Sequence, residues 1–213
     1  AVWKALAPIL TERIPAGHYS TVAAQGIAGY DTGLTPPRFF MFGGPNAGGW
    51  GAGPGWDGEN ALMCLGNGDT RNTPMEIIEA KYPLQVLRYA LRPDSGGAGQ
   101  FRGGLGLTVV YHLLRGENLS AVFVCGRCQF PPFGLFGGHD GAANRITITR
   151  NGQPGPCTCQ AAGLPLQVDD VITIETGGGG GYGEPTKRDA ALVTRDLELG
   201  YISAAAAHKL YQS

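Results

Sequence analysis

Hydrophobic and polar residues alternate along much of this chain, and glycine breaks the alternation repeatedly. Leu87, Tyr89 and Leu91 take turns with Val86, Arg88, Ala90 and Arg92, the period-two pattern of a strand with two unlike faces. Residues 108–114, 119–124, 145–149 and 171–175 are short, rich in β-branched side chains and bounded by glycine or asparagine, so each predicts a strand. Upstream, residues 19–30 alternate loosely and residues 38–42 form a short apolar run; both read as strands. Helical signals are fewer. Residues 1–10 read as the end of a helix that stops near Pro15-Ala16-Gly17. Pro74 suits a first helical position, where its missing N–H is no loss. Glu76 and Glu79 then fall in the first turns, where the helix dipole favours negative charge, and Pro83 stops that helix. Residues 204–210 are good helix material. The pattern predicts an α+β fold dominated by β: a glycine-rich sheet stack with a few short helices, one domain over residues 1–213.

Composition sharpens this picture. The chain has 213 residues, enough to bury a sizeable core. Its formal net charge of −1 argues against a nucleic-acid groove or an anionic membrane surface as partner. No apolar run approaches the ~20 residues that cross a bilayer, and the first residues lack the plan of a signal peptide, so the expected location is cytoplasmic. Glycine occurs 36 times, far above the usual ~7%, and without a collagen period. The stretch GGPNAGGWGAGPGWDG (43–58) would be a flexible linker by composition. Trp50 and Trp56 argue instead for an ordered loop packed on a partner or a site.

Several constellations are candidates for chemistry. Asn67, Asp69, Thr70 and Asn72 form a polar turn, followed by Glu76 and Glu79. Oxygen ligands of this kind suit a substrate site or the surroundings of a hard cation, and they equally suit Asx turns and helix capping. Arg88, Arg92 and Arg102 stand near Asp94 and Ser95, and arginines at strand ends can clamp a carboxylate or phosphate. Arg92, Asp94 and Arg102 are the candidate catalytic residues. Ser95 lacks a nucleophile elbow and a placed histidine, which favours a tight turn with Asp94 paired to an arginine. Gly177 to Gly183 invites a phosphate-loop reading but has no Gly-Lys-Ser/Thr; close backbone packing is the alternative. Lys187-Arg188 remains placed to meet an anion. Five cysteines without a secretory signal argue against a disulfide framework and for thiols or a metal. Cys125-x-x-Cys128 and Cys157-x-Cys159 are compatible with a structural four-thiolate zinc site, or with four thiols that never converge. Cys64 sits in an apolar run and reads as core. The histidines, His18, His112, His139 and His208, are scattered. His139, beside Asp140, could face a site, although a lone turn histidine is more often structural.

Three long motifs carry a resemblance: GDTRNTPMEIIEAKYP (68–83), LRPDSGGAGQFRGGLG (91–106) and GGGGGYGEPTKRD (177–189). From about Trp50 to Tyr211 the chain resembles the hydantoinase B/oxoprolinase family, in the C-terminal part of the family's B component. The resemblance implies a component of an ATP-dependent cyclic-amide hydrolase of the hydantoin or oxoproline type. In such a complex a partner A component, which holds ATP with Mg, phosphorylates the amide oxygen and the B component completes the reaction. A component of an ATP-dependent ketone carboxylase of the acetone or acetophenone kind is the alternative, and a non-catalytic assembly component is another. The resemblance places Asn67, Asp69, Thr70, Asn72, Glu76 and Ser95 in a wall that binds the small-molecule substrate. Arginines and glycine N–H groups are expected to hold the anionic intermediate there. It puts the ligands of a catalytic metal outside this chain, in an N-terminal portion of the B component that is the expected second partner. A chain without that portion is expected to be inactive alone. The four cysteines are a departure from the family pattern.

Overall fold

The computed structural model describes residues 2–19, 22–68 and 70–211. Among these residues the chain forms, in order, α1 (Val2–Leu6), β1 (Ala23–Asp31), β2 (Arg38–Asn46), α2 (Met75–Lys81), β3 (Leu84–Leu91), β4 (Leu107–Leu113), β5 (Glu117–Cys125), β6 (Arg145–Arg150), β7 (Gln153–Pro154), β8 (Gln160–Pro165), β9 (Val171–Glu175), α3 (Ala190–Glu198) and α4 (Ala204–Tyr211). The strands make two antiparallel sheets, one in the order β2-β1-β5-β8 and the other β3-β4-β9-β6-β7. The fold is therefore α+β with β dominant, as the alternation predicts.

Period two explains how the sheets meet. Along β4, Leu107, Val109, Tyr111 and Leu113 are buried while the residues between them are half-buried. Along β5, Leu119, Ala121, Phe123 and Cys125 point inward and Val122 and Val124 outward. In register, Ile27 of β1 lies between Phe42 and Ala121. On the other sheet Ile172 and Ile174 of β9 lie between β4 and β6. These inward faces join in one core, to which each fully buried aliphatic side chain contributes roughly 1.5–3 kcal/mol. Phe42 meets Tyr111 edge to face at 5.3 Å, so an aromatic pair ties the two sheets together.

Three elements differ from the sequence reading. β2 continues four residues past its apolar run, through Gly43-Gly44-Pro45-Asn46, because β1 supplies a full register of partners there. β8 gives no strand signal, since Gly163 sits at φ 65° and Pro165 closes it, yet it pairs with β5. α3 is started by Asp189, whose carboxylate accepts the Ala191 N–H at 2.8 Å.

β9 runs straight into Gly177–Gly181, which threads the middle of the loop layer. The N–H groups of these five glycines donate, in order, to Asn144 Oδ1 and to the carbonyls of Ala142, Gly104, Gly17 and His139. A Cβ on Gly179 would run into the Trp50 carbonyl, and one on Gly104 into the Glu59 carbonyl. Close backbone packing accounts for the tract, and its donors are not free to hold an anion. Buried Asn144 braces the same place, donating also to the carbonyls of Tyr19 and Gly126. The loop after β2 is ordered, as Trp50 suggests: its indole N–H donates to the Met63 carbonyl at 3.1 Å. Trp56 is exposed.

Candidate functional site

A cleft of about 150 Å³ opens where the edges of the two sheets meet. Gln25, Phe42 and the 43–46 end of β2 line one side, Tyr89 and Tyr111 the other, and Thr70, Arg71, Asn72, Thr73 and Met75 close the rim. Local chemistry fixes each part. Asn46 donates to the Ala23 carbonyl at 2.9 Å and to Gln25 Oε1, and the Tyr19 hydroxyl donates to the Asn46 carbonyl. Gln25 and Asn46 are thus buried polar side chains held in fixed orientation. Burial raises the Tyr89 and Tyr111 hydroxyls above the ordinary tyrosine range, so both stay protonated donors. At the rim the Thr70 hydroxyl donates to the Asn67 carbonyl, which folds the polar turn back towards α2. Arg71 is exposed at the same rim. A cationic rim over amide and hydroxyl groups suits a small polar or anionic molecule. The volume is below the ~300–1,000 Å³ of drug-sized ligand pockets, too small for a nucleotide.

Of the residues expected to form a substrate wall, Thr70 and Asn72 line this cleft, and Asn67 supports it from behind. Asp69 lies outside the described residues. Glu76 is exposed on α2 and away from the cleft lining. The Glu79 carboxylate accepts the Val86 N–H at 2.8 Å and ties α2 to β3. Ser95 stands elsewhere: it is buried, donates to the Arg92 carbonyl at 2.6 Å and accepts the Gly106 N–H at 2.9 Å. It stitches a turn, and its hydroxyl has no free face for substrate.

Arg92, Asp94 and Arg102, the expected catalytic trio, each have partners of their own within the fold. Arg92 donates to the carbonyls of Ala143 and Thr176 at 2.9 and 3.2 Å and faces Glu175 at 3.4 Å. Burial lowers its pKa, and Glu175 opposes that shift. Asp94, at φ 58°, accepts the Ser203 N–H at 2.8 Å and so holds the approach to α4; among the described residues it makes no ion pair with an arginine. Arg102 is buried and donates to Asp196 at 3.1 Å and to the Gly103 carbonyl at 2.6 Å, with Tyr201 under its guanidinium.

Arg102 belongs to an internally paired ion cluster that lines a second cavity, of about 200 Å³. Arg188 gives two hydrogen bonds of 2.7 Å to the two Asp57 oxygens and one of 2.8 Å to Asp196, which Arg102 also contacts. Burial disfavours the charge on Asp57, but the hydrogen bonds and charge of Arg188 outweigh it and hold the carboxyl below the usual range. Burial likewise opposes the charge on Arg188, and Asp57 and Asp196 reverse the balance upward. Arg188 is therefore engaged within the protein, against the expectation that it meets an external anion. No sequence signal links Asp57, Arg102, Arg188 and Asp196, which only the fold brings together. Arg71, by contrast, is the cation inside the GDTRNTP motif and is legible there. His139 contributes its backbone to the glycine-tract packing, donating to the Ala98 carbonyl at 2.7 Å.

Neither the glycine tract nor the cleft offers a nucleotide cradle, so no phosphate chemistry is assigned to these residues. Among the described residues no group of three or more His, Cys, Asp or Glu side chains stands ready to hold a metal ion. Cys128 and Cys159 are joined as a disulfide, which corrects the expectation of thiols or a metal in place of disulfides. Cys64 is buried in the core, Cys125 is buried, and Cys157 is exposed. Burial pushes the Cys125 thiol up to about 12, with a smaller contribution from Cys157. Among the described residues, no helix is long and apolar enough to cross a membrane.

The family model described as hydantoinase B/oxoprolinase matches residues 1–185, so the similarity begins well before Trp50. An uncharacterized protein of Methanocaldococcus jannaschii is 40% identical over 141 residues, covering 66% of this chain and 24% of its own length. The B component of a putative D-/L-hydantoinase from a Pseudomonas species is 30% identical over 203 residues, covering 94% of this chain and 33% of its own. Among solved structures, ATP-dependent caprolactamase from Pseudomonas jessenii aligns over 98% of this chain and 37% of its own, with a TM-score of 0.76 and 25% identity. Acetone carboxylase shares the fold, with a TM-score of 0.78 at 21% identity over 99% of this chain and 32% of its own. The chain thus spans between about a tenth and a third of the length of the curated relatives it matches.

Proposed function

This chain belongs to the hydantoinase B/oxoprolinase family, and from that premise we propose that it is one component of an ATP-dependent cyclic-amide hydrolase. The observation that carries the reading is the cleft at the sheet seam, rimmed by Thr70, Arg71 and Asn72 of the GDTRNTP turn. A lactam oxygen is a poor leaving group until it is phosphorylated, and the activated ring is then an anion that must be held. Arg71 supplies a fixed positive charge at the rim, and the Tyr89 and Tyr111 hydroxyls stay protonated inside. These groups bind and orient; activation by ATP with Mg belongs to an A-like partner, and the catalytic metal to a B-like amino-terminal portion. The complex is expected in the cytoplasm.

The outer face of the β2-β1-β5 sheet supports an assembled state. Met41, Val122 and Val124 stand exposed around a shallow apolar depression floored by Ala24, Gly26 and Ala28. Relatives carry about two thirds or more of their length outside the matched region, which supports the reading that this face is covered by the amino-terminal portion of a B-like polypeptide. A like-for-like test reconstitutes the 213-residue chain with an A-like partner and a B-like amino-terminal portion. ATP consumption that depends on a lactam is the expected result, with no turnover by the chain alone. Arg71→Ala should lower that rate by roughly 10- to 100-fold, the size of a lost charge-assisted contact. Unchanged turnover by an assembled Arg71→Ala complex would remove the cleft from the reaction. Consumption that depends on bicarbonate and a ketone would replace hydrolase with carboxylase.

A further inference from the structure

Four cysteines from two separate parts of the chain meet at one end of the sandwich. Cys125 ends β5 and Cys128 lies in the turn after it, while Cys157 and Cys159 lie in the segment that leads into β8. The β5–β8 pairing draws them together, and the Cys125 N–H donates to the Cys159 carbonyl at 3.0 Å. The sulfurs of Cys125 and Cys128 both lie 3.6 Å from the Gly126 carbonyl oxygen. The Cys128 sulfur is bonded to that of Cys159, and the Cys157 sulfur lies 3.7 Å from Cys159 Sγ. In a tetrahedral zinc–thiolate centre with bonds near 2.3 Å, neighbouring sulfurs stand about 3.8 Å apart. Cys157 and Cys159 already hold that spacing.

We propose that these four residues are a redox-gated metal site: once the Cys128–Cys159 bond is reduced, Cys125, Cys128, Cys157 and Cys159 bind one Zn²⁺. A dithiol or phosphine reductant gives two electrons to the sulfur–sulfur bond, and two protons from water complete two thiols while the reductant is oxidised. Zn²⁺ then displaces the four thiol protons to solvent and takes four sulfur ligands. All four positions are filled by protein, so the centre is structural and leaves no room for substrate. Its effect is to pin the turn after β5 to the segment before β8, because metal binding adds directly to folding stability. A two-electron oxidant re-forms the disulfide and releases the ion.

The test needs no partner, so it succeeds or fails independently of the hydrolase reading. The 213-residue chain is reduced with a phosphine under anaerobic conditions, stripped by a chelator and titrated with Co²⁺ as a visible probe. One Co²⁺ per chain should bind with thiolate charge-transfer bands and the intense visible bands of a tetrahedral site, and one equivalent of Zn²⁺ should bleach them. The oxidised chain should take up none. Cys157→Ser, at an exposed position, should keep its circular-dichroism spectrum and bind Co²⁺ at least tenfold more weakly. Equal uptake by oxidised and reduced chains, or wild-type binding by Cys157→Ser, would overturn the site. So would a reduced chain that takes up no metal and re-oxidises to a Cys157–Cys159 pair, which would make the cluster a thiol-exchange centre only.

Discussion

Two polar regions of this molecule use the same residue types to opposite ends. In the cluster of Asp57, Arg102, Arg188 and Asp196, each guanidinium meets a carboxylate inside the protein. At the sheet-seam cleft, Arg71 stands exposed beside Thr70 and Asn72, over buried amides already satisfied by one another. The first region pairs its charges internally and serves the fold, although a cavity of about 200 Å³ opens beside it. The second leaves donors facing outward, which is what a binding site requires. An arginine in a recognisable motif is therefore a poor guide to function until its partner is known.

This contrast can be broken by substitution. The largest effect is expected for Asp196→Ala, which strips the shared carboxylate from two buried guanidiniums and should cost about 3–5 kcal/mol; denaturant unfolding measures it. A loss below about 1 kcal/mol would show that the cluster tolerates an open end. Gly179→Ala comes next. Its methyl would strike the Trp50 carbonyl, so a loss of about 1–3 kcal/mol or more is expected by the same measurement. Ser95→Ala should cost about 1–3 kcal/mol by leaving the buried Gly106 N–H without its acceptor.

Acid should act through the ion-paired region. Asp57 titrates lower in the folded chain than in the unfolded one, so its contribution is fully present above about pH 4 and is lost as pH falls through the depressed folded value. Asp57→Asn should flatten that part of the stability–pH curve. Arg71→Ala should be the mildest, within about 0.5 kcal/mol of the parent in stability, because Arg71 is exposed. A large loss there would mean that the cleft, too, is structural.

Much of the scaffold can be read from the alternation. β9 occupies the expected residues, and β3, β4, β5, β6 and α4 lie within a few residues of their predicted spans. The failures have physical causes. β8 is recruited by β5 and carries a left-handed glycine and a proline that hide it. α3 carries the β-branched pair Val193-Thr194 in its middle, which weakens its helix propensity, and Asp189, a good capping residue, is its clearest signal. The polar turn is legible as a turn, and Thr70 and Asn72 line a cleft. The arginine trio is not, because whether Arg102 faces a ligand or Asp196 depends on a contact across 94 residues that no local pattern encodes.

The glycine thread after β9 has a consequence for how such chains are recognised. Its composition answers to the carbonyls crowded around it and to no reacting atom. A stretch written by crowding alone is a signature of the chassis. Whoever finds it in a new genome has learned the shape of the vessel and nothing of its contents.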